Sequence, residues 1–317
     1  MAEAGLRRTG MRIAGALCLA AVAGSFFTRG DFASSLIMWV AINVLMTASF
    51  RFVLLIGELN FATAGFVGIG AYGAGLATTA WSMPLAVSLL LGAAAAGLAS
   101  LVFGFVTLRA KGPYFLLISF AFTEVLRLVY TQTEAIGGNS GMVGIFPPAA
   151  LARVYPTLVV VIVLAFLYVL YRIERSDFGK VLVAIRNNDD LVQTVGINVH
   201  LTKVWCVGIA SFVAGLCGAL LAHANNVISP GDFSFLLAVY TLAYLKVGGE
   251  SHILGAVLGA IVLTLLAQYA LGFGAYEHIF YGAAIVGGVL LMPQGLIGLA
   301  LAVWRKFAGR RPAVARD

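Results

Sequence analysis

Read as a pattern of apolar and polar positions, the 317-residue chain is a series of long apolar runs with short polar punctuation. The runs fall at 12–28, 34–56, 61–80, 84–108, 113–131, 155–172, 203–226, 235–248, 253–272 and 278–303. Most approach the ~20 residues that an α-helix needs to cross the hydrocarbon of a bilayer. Lipid offers no partner to backbone N–H and C=O groups, so helices that satisfy them internally are expected. The run 235–248 is short for a full span and fits a half-helix, which is tolerated where protein covers it. The pattern predicts an all-α polytopic bundle of nine or ten transmembrane helices, one membrane-spanning domain over 1–317.

Composition agrees. Hydrophobic residues make up 61% of the chain and charged residues only 10%, with a mean hydropathy of +1.00. A soluble domain carries about 25% charged residues, so this chain has too little polar surface to cover a globule in water. A soluble enzyme is excluded on that ground.

Charge then orients the segments. A net charge of +7 would suggest nucleic acid in a soluble protein. Here the basic residues gather at the ends of apolar runs, where they act as topology signals, and no nucleic-acid partner is expected. Arg7, Arg8 and Arg12 place the N-terminus inside, and alternation puts Arg51, Arg109 and Lys111 inside as well. The loop 132–154 falls outside with Glu134 and Arg153 as its charges. The loop 173–202 falls inside, as does the basic tail 304–317. Both termini are thus expected in the cytoplasm. Cleavage after Ala21-Val22-Ala23 would leave nine spans and the same loop sides, so charge alone leaves nine and ten open.

No catalytic constellation is recognisable. Cys206 and Cys217 lie eleven residues apart, about 16 Å along one helix, too far for a disulfide. They and Cys18 read as small core residues. The four histidines show no ligand spacing, and neither metal nor cofactor is expected. Gly68-x-Gly70-x-x-Gly73 matches a dinucleotide fingerprint but lies within an apolar helical run and reads as a packing face. Ser211-x-x-x-Gly215 and Gly255-x-x-x-Gly259 read as helix-packing patterns within the chain or, less simply, at a subunit interface.

Three segments carry the candidate chemistry. The cytoplasmic stretch 176–195 predicts a short amphipathic helix, started at Ser176 or Asp177 and ended by Gly196. It fits either a helix lying on lipid or a docking helix for a cytoplasmic partner. Glu124 and Arg127 share one face of a helix at membrane depth, as a structural ion pair or as the polar lining of a path. Glu58 to Thr63, with Asn60 and Thr63 the polar groups nearest the next run, resembles an unwound helix start. The outer Gly137-Gly138-Asn139-Ser140-Gly141 suits tight turns or a mobile mouth.

The motif Leu108-Arg-Ala-Lys-Gly-Pro-Tyr-Phe-Leu-Leu-Ile-Ser-Phe-Ala-Phe-Thr-Glu-Val-Leu-Arg127 resembles the permease subunits of branched-chain amino-acid ABC importers, of the LivM type. So do Arg175-Ser-Asp-Phe-Gly-Lys180, Ala184-Ile-Arg186, Gly196-Ile-Asn198, Ser229-Pro-Gly-Asp-Phe-Ser-Phe235, the stretch Gly248 to Gly259 and Pro293-Gln-Gly-Leu296, in collinear order over 35–300. The resemblance implies a bacterial inner-membrane permease without catalysis of its own. Its implied partners are a second, homologous permease, two cytoplasmic ATP-binding subunits and a periplasmic substrate-binding protein. It also implies that Arg175, Ser176, Phe178, Gly179, Lys180, Arg186 and Asp189 belong to a loop coupled to the ATPase. Asn60, Thr63, Glu124 and Arg127 are the expected lining of the substrate path. The run Asn60 to Tyr72 departs from the family's usual sequence, which leaves the cargo open between branched-chain amino acids and related solutes such as urea, short amides and organic acids.

Overall fold

The computed structural model describes residues 31–110, 112–292 and 295–298. The first apolar run with its arginines and Ala21-Val22-Ala23 pattern, Cys18, Lys111 and the basic tail lie outside the described residues.

The described chain is built from helices α1 (Asp31–Leu54), α2 (Thr63–Thr79), α3 (Leu85–Thr107), α4 (Pro113–Gln132), α5 (Ala149–Ala152) and α6 (Tyr155–Arg175). They continue as α7 (Asp177–Asn187), α8 (Asp189–Thr194), α9 (Val199–Asn225), α10 (Phe235–Gly248), α11 (Ile253–Ala270) and α12 (Glu277–Leu291). Six of the helical stretches are long and apolar enough to cross a membrane. Glycine and proline set the boundaries. Pro84 precedes α3, Pro113 opens α4 behind Gly112, and Asn226 closes α9 in the left-handed conformation.

The centre is α9 packed against α2 and α3, with α1 alongside. Helices in lipid gain nothing from leaving it, so they associate through close packing, and small residues permit that. The glycines of α2, α3 and α9 meet here. A Cβ on Gly70 would collide with the backbone of Gly215, and one on Gly92 with the carbonyl of Gly70. Gly68, Gly70 and Gly73 of α2 therefore form a packing face toward Tyr130 of α4, Gly215 of α9 and Gly92 of α3, and Gly215 in turn packs against α3. Gly255 and Gly259 face the backbone of Gly248, Gly249 and Tyr244 on α10, so this pattern too is intrachain packing. Phe66, Phe103, Phe115 and Phe122 fill the space between α2, α3 and α4. A second apolar cluster joins α10, α11 and α12 to α1. Helices α4 and α6 are peripheral and keep much of their surface exposed.

Two elements differ from the sequence expectation. The cytoplasmic amphipathic helix is two helices, α7 and α8, broken at Asn188. Asn188 is extended, and its Oδ1 accepts from the N–H groups of Asp190 and Leu191, so it caps a new helix. After α4, a two-residue antiparallel ladder pairs Met142 with Ile228 and Val143 with Val227. It ties the glycine-rich loop to the segment after α9. The turns expected there exist, with Gly137, Gly138 and Gly141 all at positive φ.

Candidate functional site

Charged groups at the end of the bundle where α1 finishes form two largely buried networks. Arg51, in the last turn of α1, donates Nη1 and Nη2 to the two carboxylate oxygens of Glu174 at 2.9 Å each. Its Nε and Nη2 also donate to the carbonyls of Glu250 and Ser251 at 3.0 and 3.3 Å. The end of α1, the end of α6 and the α10–α11 turn are thereby held by one guanidinium, whose planar fork suits this arrangement. In the second network, Lys203 of α9 donates to Asp189 at 3.0 Å and lies 3.7 Å from Glu58. Glu58 in turn accepts from the N–H of Gly112 at 3.1 Å. Lys203 and Glu58 are only 5% and 6% exposed. Burial pushes the Glu58 carboxyl above its ordinary 4.5, outweighing the opposite pull of Lys203 and of the Gly112 N–H.

Helices α7 and α8 lie over these networks. Gly179, Leu182, Ile185 and Val192 face the bundle. Gly179 must be glycine, since a Cβ there would strike the carbonyl of Glu174. Gly57, at positive φ, approaches the Arg186 side chain. Of the residues expected to contact a partner, Arg175, Ser176, Lys180 and Arg186 are exposed. Arg175 lies over the Tyr171 ring at 4.5 Å, and Ser176 Oγ donates to the Ile173 carbonyl at 2.6 Å. Lys180 donates to Asp177 at 2.7 Å, and that hydrogen bond, with the lysine's charge, holds the exposed Asp177 carboxyl below its ordinary 3.8. Phe178 is half-buried against the core, Gly179 is buried, and Asp189 faces inward onto Lys203. Helical spacing sets Leu191 and Val195 with Leu182, Ile185 and Val192 on one apolar face, yet the structure turns them outward. They are 64% and 76% exposed, apolar side chains on the outer surface of this helix pair. Sequence reasoning takes Arg51 as a topology charge and Glu58 as part of an unwound helix start, and pairs neither with Glu174 or Lys203. Their one signal was position, as isolated charges at the very ends of apolar runs.

A second polar group lies along α4. Residues 58–60 have no regular structure, and α2 begins only at Thr63, so the expected unwound start exists. Helix α4 holds this segment: Ser119 Oγ accepts from the Phe61 N–H at 3.1 Å and Thr123 donates to the Phe61 carbonyl at 2.9 Å. Asn60 Oδ1 accepts from the Ala62 N–H, and Thr63 donates to the Asn60 carbonyl. Asn60 and Thr63 are buried behind α4. At the next residue of α4, Glu124 Oε2 accepts from Arg127 Nε at 2.7 Å, and its Oε1 accepts from the Phe235 N–H at 3.2 Å. Phe235 is the first residue of α10, so the carboxylate caps a helix of 14 residues, about 21 Å, that starts inside the bundle. The Glu124 and Arg127 side chains keep 25% and 35% exposure on the surface of the chain. Thus α4 links the two halves of the expected path through adjacent residues, Thr123 and Glu124, with one half buried and the other open.

Comparison with known proteins places this arrangement. The family model described as branched-chain amino acid transport system / permease component matches residues 32–291. The high-affinity branched-chain amino acid transport system permease protein LivM of Escherichia coli is 26% identical over 293 residues, covering 83% of this chain and 67% of the relative. The ribose import permease protein RbsC of Haemophilus influenzae is 21% identical over 261 residues, covering 78% and 80%. The probable branched-chain amino acid transport permease protein LivH of Methanocaldococcus jannaschii is 29% identical over 160 residues, covering 47% and 48%. No solved structure matches the chain. The family match runs through all the networks described above, and the chain belongs to the family of branched-chain amino acid transport permease components as a multi-pass, LivM-type permease subunit of an ABC importer.

Proposed function

We propose that the chain moves branched-chain amino acids or related small polar solutes inward across the bacterial inner membrane, by alternating access driven by ATP hydrolysis on partner chains. The observation that carries this reading is the α7–α8 pair. It packs on the bundle through Gly179, Leu182, Ile185 and Val192, is tied to it by the Asp189–Lys203 ion pair, and presents Arg175, Ser176, Lys180, Arg186, Leu191 and Val195 outward. Mixed apolar and basic surface on a clamped element suits docking of a folded partner better than lying on lipid, because the apolar groups sit among exposed charges. Gly179 and Phe178 support the unit from beneath, and Asp189 ties it down.

The half-exposed Glu124–Arg127 pair supports the second half of the reading. An ion pair facing hydrocarbon is costly, so this surface suits protein or a water-filled path. We place a second permease chain against it, with Asn60 and Thr63 reached when the unwound start of α2 moves. Two ATP-binding subunits on the cytoplasmic side and a substrate-binding protein outside complete the importer. The whole chain 1–317 acts as one membrane domain with both termini inside. Relatives matched at similar coverage carry branched-chain amino acids or ribose in their names, so cargo is set by details within this frame.

Purification of the tagged chain from its native membrane tests the proposal. Co-purification of two ATP-binding subunits and a second permease is expected, with ATPase activity stimulated by a loaded binding protein after reconstitution. A chain that transports alone, without ATP-binding subunits, would overturn it in favour of a secondary transporter or channel.

A further inference from the structure

Two carboxylates and one ammonium meet under α8. We infer that the triad Asp189–Lys203–Glu58 is a mechanical joint: it carries the displacement of the docking helices to the unwound segment that begins α2 and to the start of α4. The inference rests on the proposed ATPase docking and adds the route by which its motion enters the membrane.

The geometry supplies each link. Asp189 is the first residue of α8, so its carboxylate moves with the helix pair. Its partner Lys203 stands one turn into α9, the buried central helix, and is itself enclosed. The same ammonium faces Glu58, and Glu58 accepts from Gly112, the residue before α4. Two residues beyond Glu58, Asn60 caps the chain turn that leads into α2, and α4 grips Phe61 through Ser119 and Thr123. Both strands leaving Glu58 therefore lead to the polar groups at membrane depth: one through Asn60 and Thr63, the other along α4 to Glu124 and Arg127.

Charge gives the joint its stiffness. With two carboxylates on one ammonium in a low-dielectric site, shifting Lys203 away from either leaves an uncompensated charge. A displacement of α8 is thus transmitted rather than absorbed. Apolar contacts alone would let α8 slide. The Arg51–Glu174 fork does not serve this route, because it joins α1, α6 and the α10–α11 turn without touching the α2 start.

The test uses the whole complex, this chain co-expressed with its ATP-binding and permease partners and reconstituted in liposomes. Glu58→Gln keeps an acceptor for Gly112 but removes the attraction for Lys203. Asp189→Asn releases α8 from Lys203. Asp189→Glu keeps a carboxylate for Lys203 and is the conservative control. Glu58→Gln and Asp189→Asn are expected to assemble at wild-type stoichiometry and hydrolyse ATP, with solute moved per ATP reduced about ten-fold, within the usual range of coupling between sites. Asp189→Glu is expected to keep most of the wild-type ratio. A wild-type ratio in both Glu58→Gln and Asp189→Asn, or the same loss in Asp189→Glu, would overturn the joint. Failure of the unaltered chain to co-purify with ATP-binding subunits would overturn the docking proposal instead, so the two failures are distinguishable.

Discussion

Arg51 and Glu174 form a two-bonded ion pair across 123 positions of sequence, both oxygens of the carboxylate meeting the guanidinium fork at 2.9 Å. Arg51 is 3% exposed, and two backbone carbonyls accept from its Nε and Nη2. Arg51→Met leaves the partly buried Glu174 carboxylate without its counter-charge, which costs about 1–3 kcal/mol. Arg51→Lys keeps the charge and loses the fork, and falls between the two. Thermal unfolding of the purified chain in detergent is expected to rank them wild type, Lys, Met.

Helix packing gives a second expectation with its own control. Gly70→Ala places a methyl into the backbone of Gly215 where no flexible side chain can yield. Overpacking of this kind costs about 1–3 kcal/mol or more. Gly282 and Gly287 on α12 have nothing within 4 Å of a built Cβ. Alanine at either of these is expected to leave stability unchanged or slightly raised, since it favours the helix. The contrast is read from the yield and melting temperature of the three variants side by side.

These two cases differ in how far the sequence reveals them. The apolar runs and their boundaries follow from hydropathy, Gly and Pro, and the half-length α10 followed from its short run. The unwound start before Thr63 was also legible, as polar groups at the mouth of a glycine-rich run. The break at Asn188 was hidden, because the apolar spacing continues across it and only the cap reveals it. The buried networks were hidden for another reason. Arg51, Glu58, Glu174 and Lys203 each look like ordinary charges at a span end, and their pairing spans 123 to 145 positions. Gly179 and Arg186 looked like equal members of one docking motif. In the fold the first is a packing residue and the second an exposed one.

That difference reshapes the docking test. Gly179→Arg displaces α7 from Glu174 and perturbs the fold of the helix pair as well as its surface. Arg186→Glu, Leu191→Ser and Val195→Ser alter only exposed positions. Central contacts of a docking surface are worth about 2 kcal/mol or more each. A pull-down with the ATP-binding subunits is expected to show association weakened ten-fold or more in the Leu191→Ser/Val195→Ser chain, with melting temperature unchanged.

Glu58 predicts a pH dependence of stability. Burial raises its folded-state value above the ordinary 4.5, so the folded chain binds the proton more tightly than the unfolded one. The resulting stabilisation is fully present below 4.5 and is lost as pH rises from there through the raised value. Glu58→Gln removes that dependence. The gap in melting temperature between wild type and Glu58→Gln is expected to favour the wild type increasingly as pH is lowered through this window. A gap that does not change with pH would show that Glu58 titrates as a free carboxylate.

Glu124→Gln separates the two roles open to the membrane-depth pair. The amide oxygen can still accept from the Phe235 N–H, so the cap on α10 survives in shape. What is lost is the negative charge beside Arg127, on a surface where both side chains remain partly exposed. If the pair only fastens α4 to α10, an unpaired Arg127 at membrane depth lowers stability, and uptake falls in proportion to folded protein. If it lines the path, the folded yield holds while uptake changes. The partial exposure of both groups favours the second outcome, because a purely structural pair gains most where water is excluded. The expected result is a melting temperature within a few degrees of wild type, since exposed pairs contribute about 0–1 kcal/mol. Solute uptake by the reconstituted complex is expected to fall about ten-fold or more, as when a charged contact made during transport is removed.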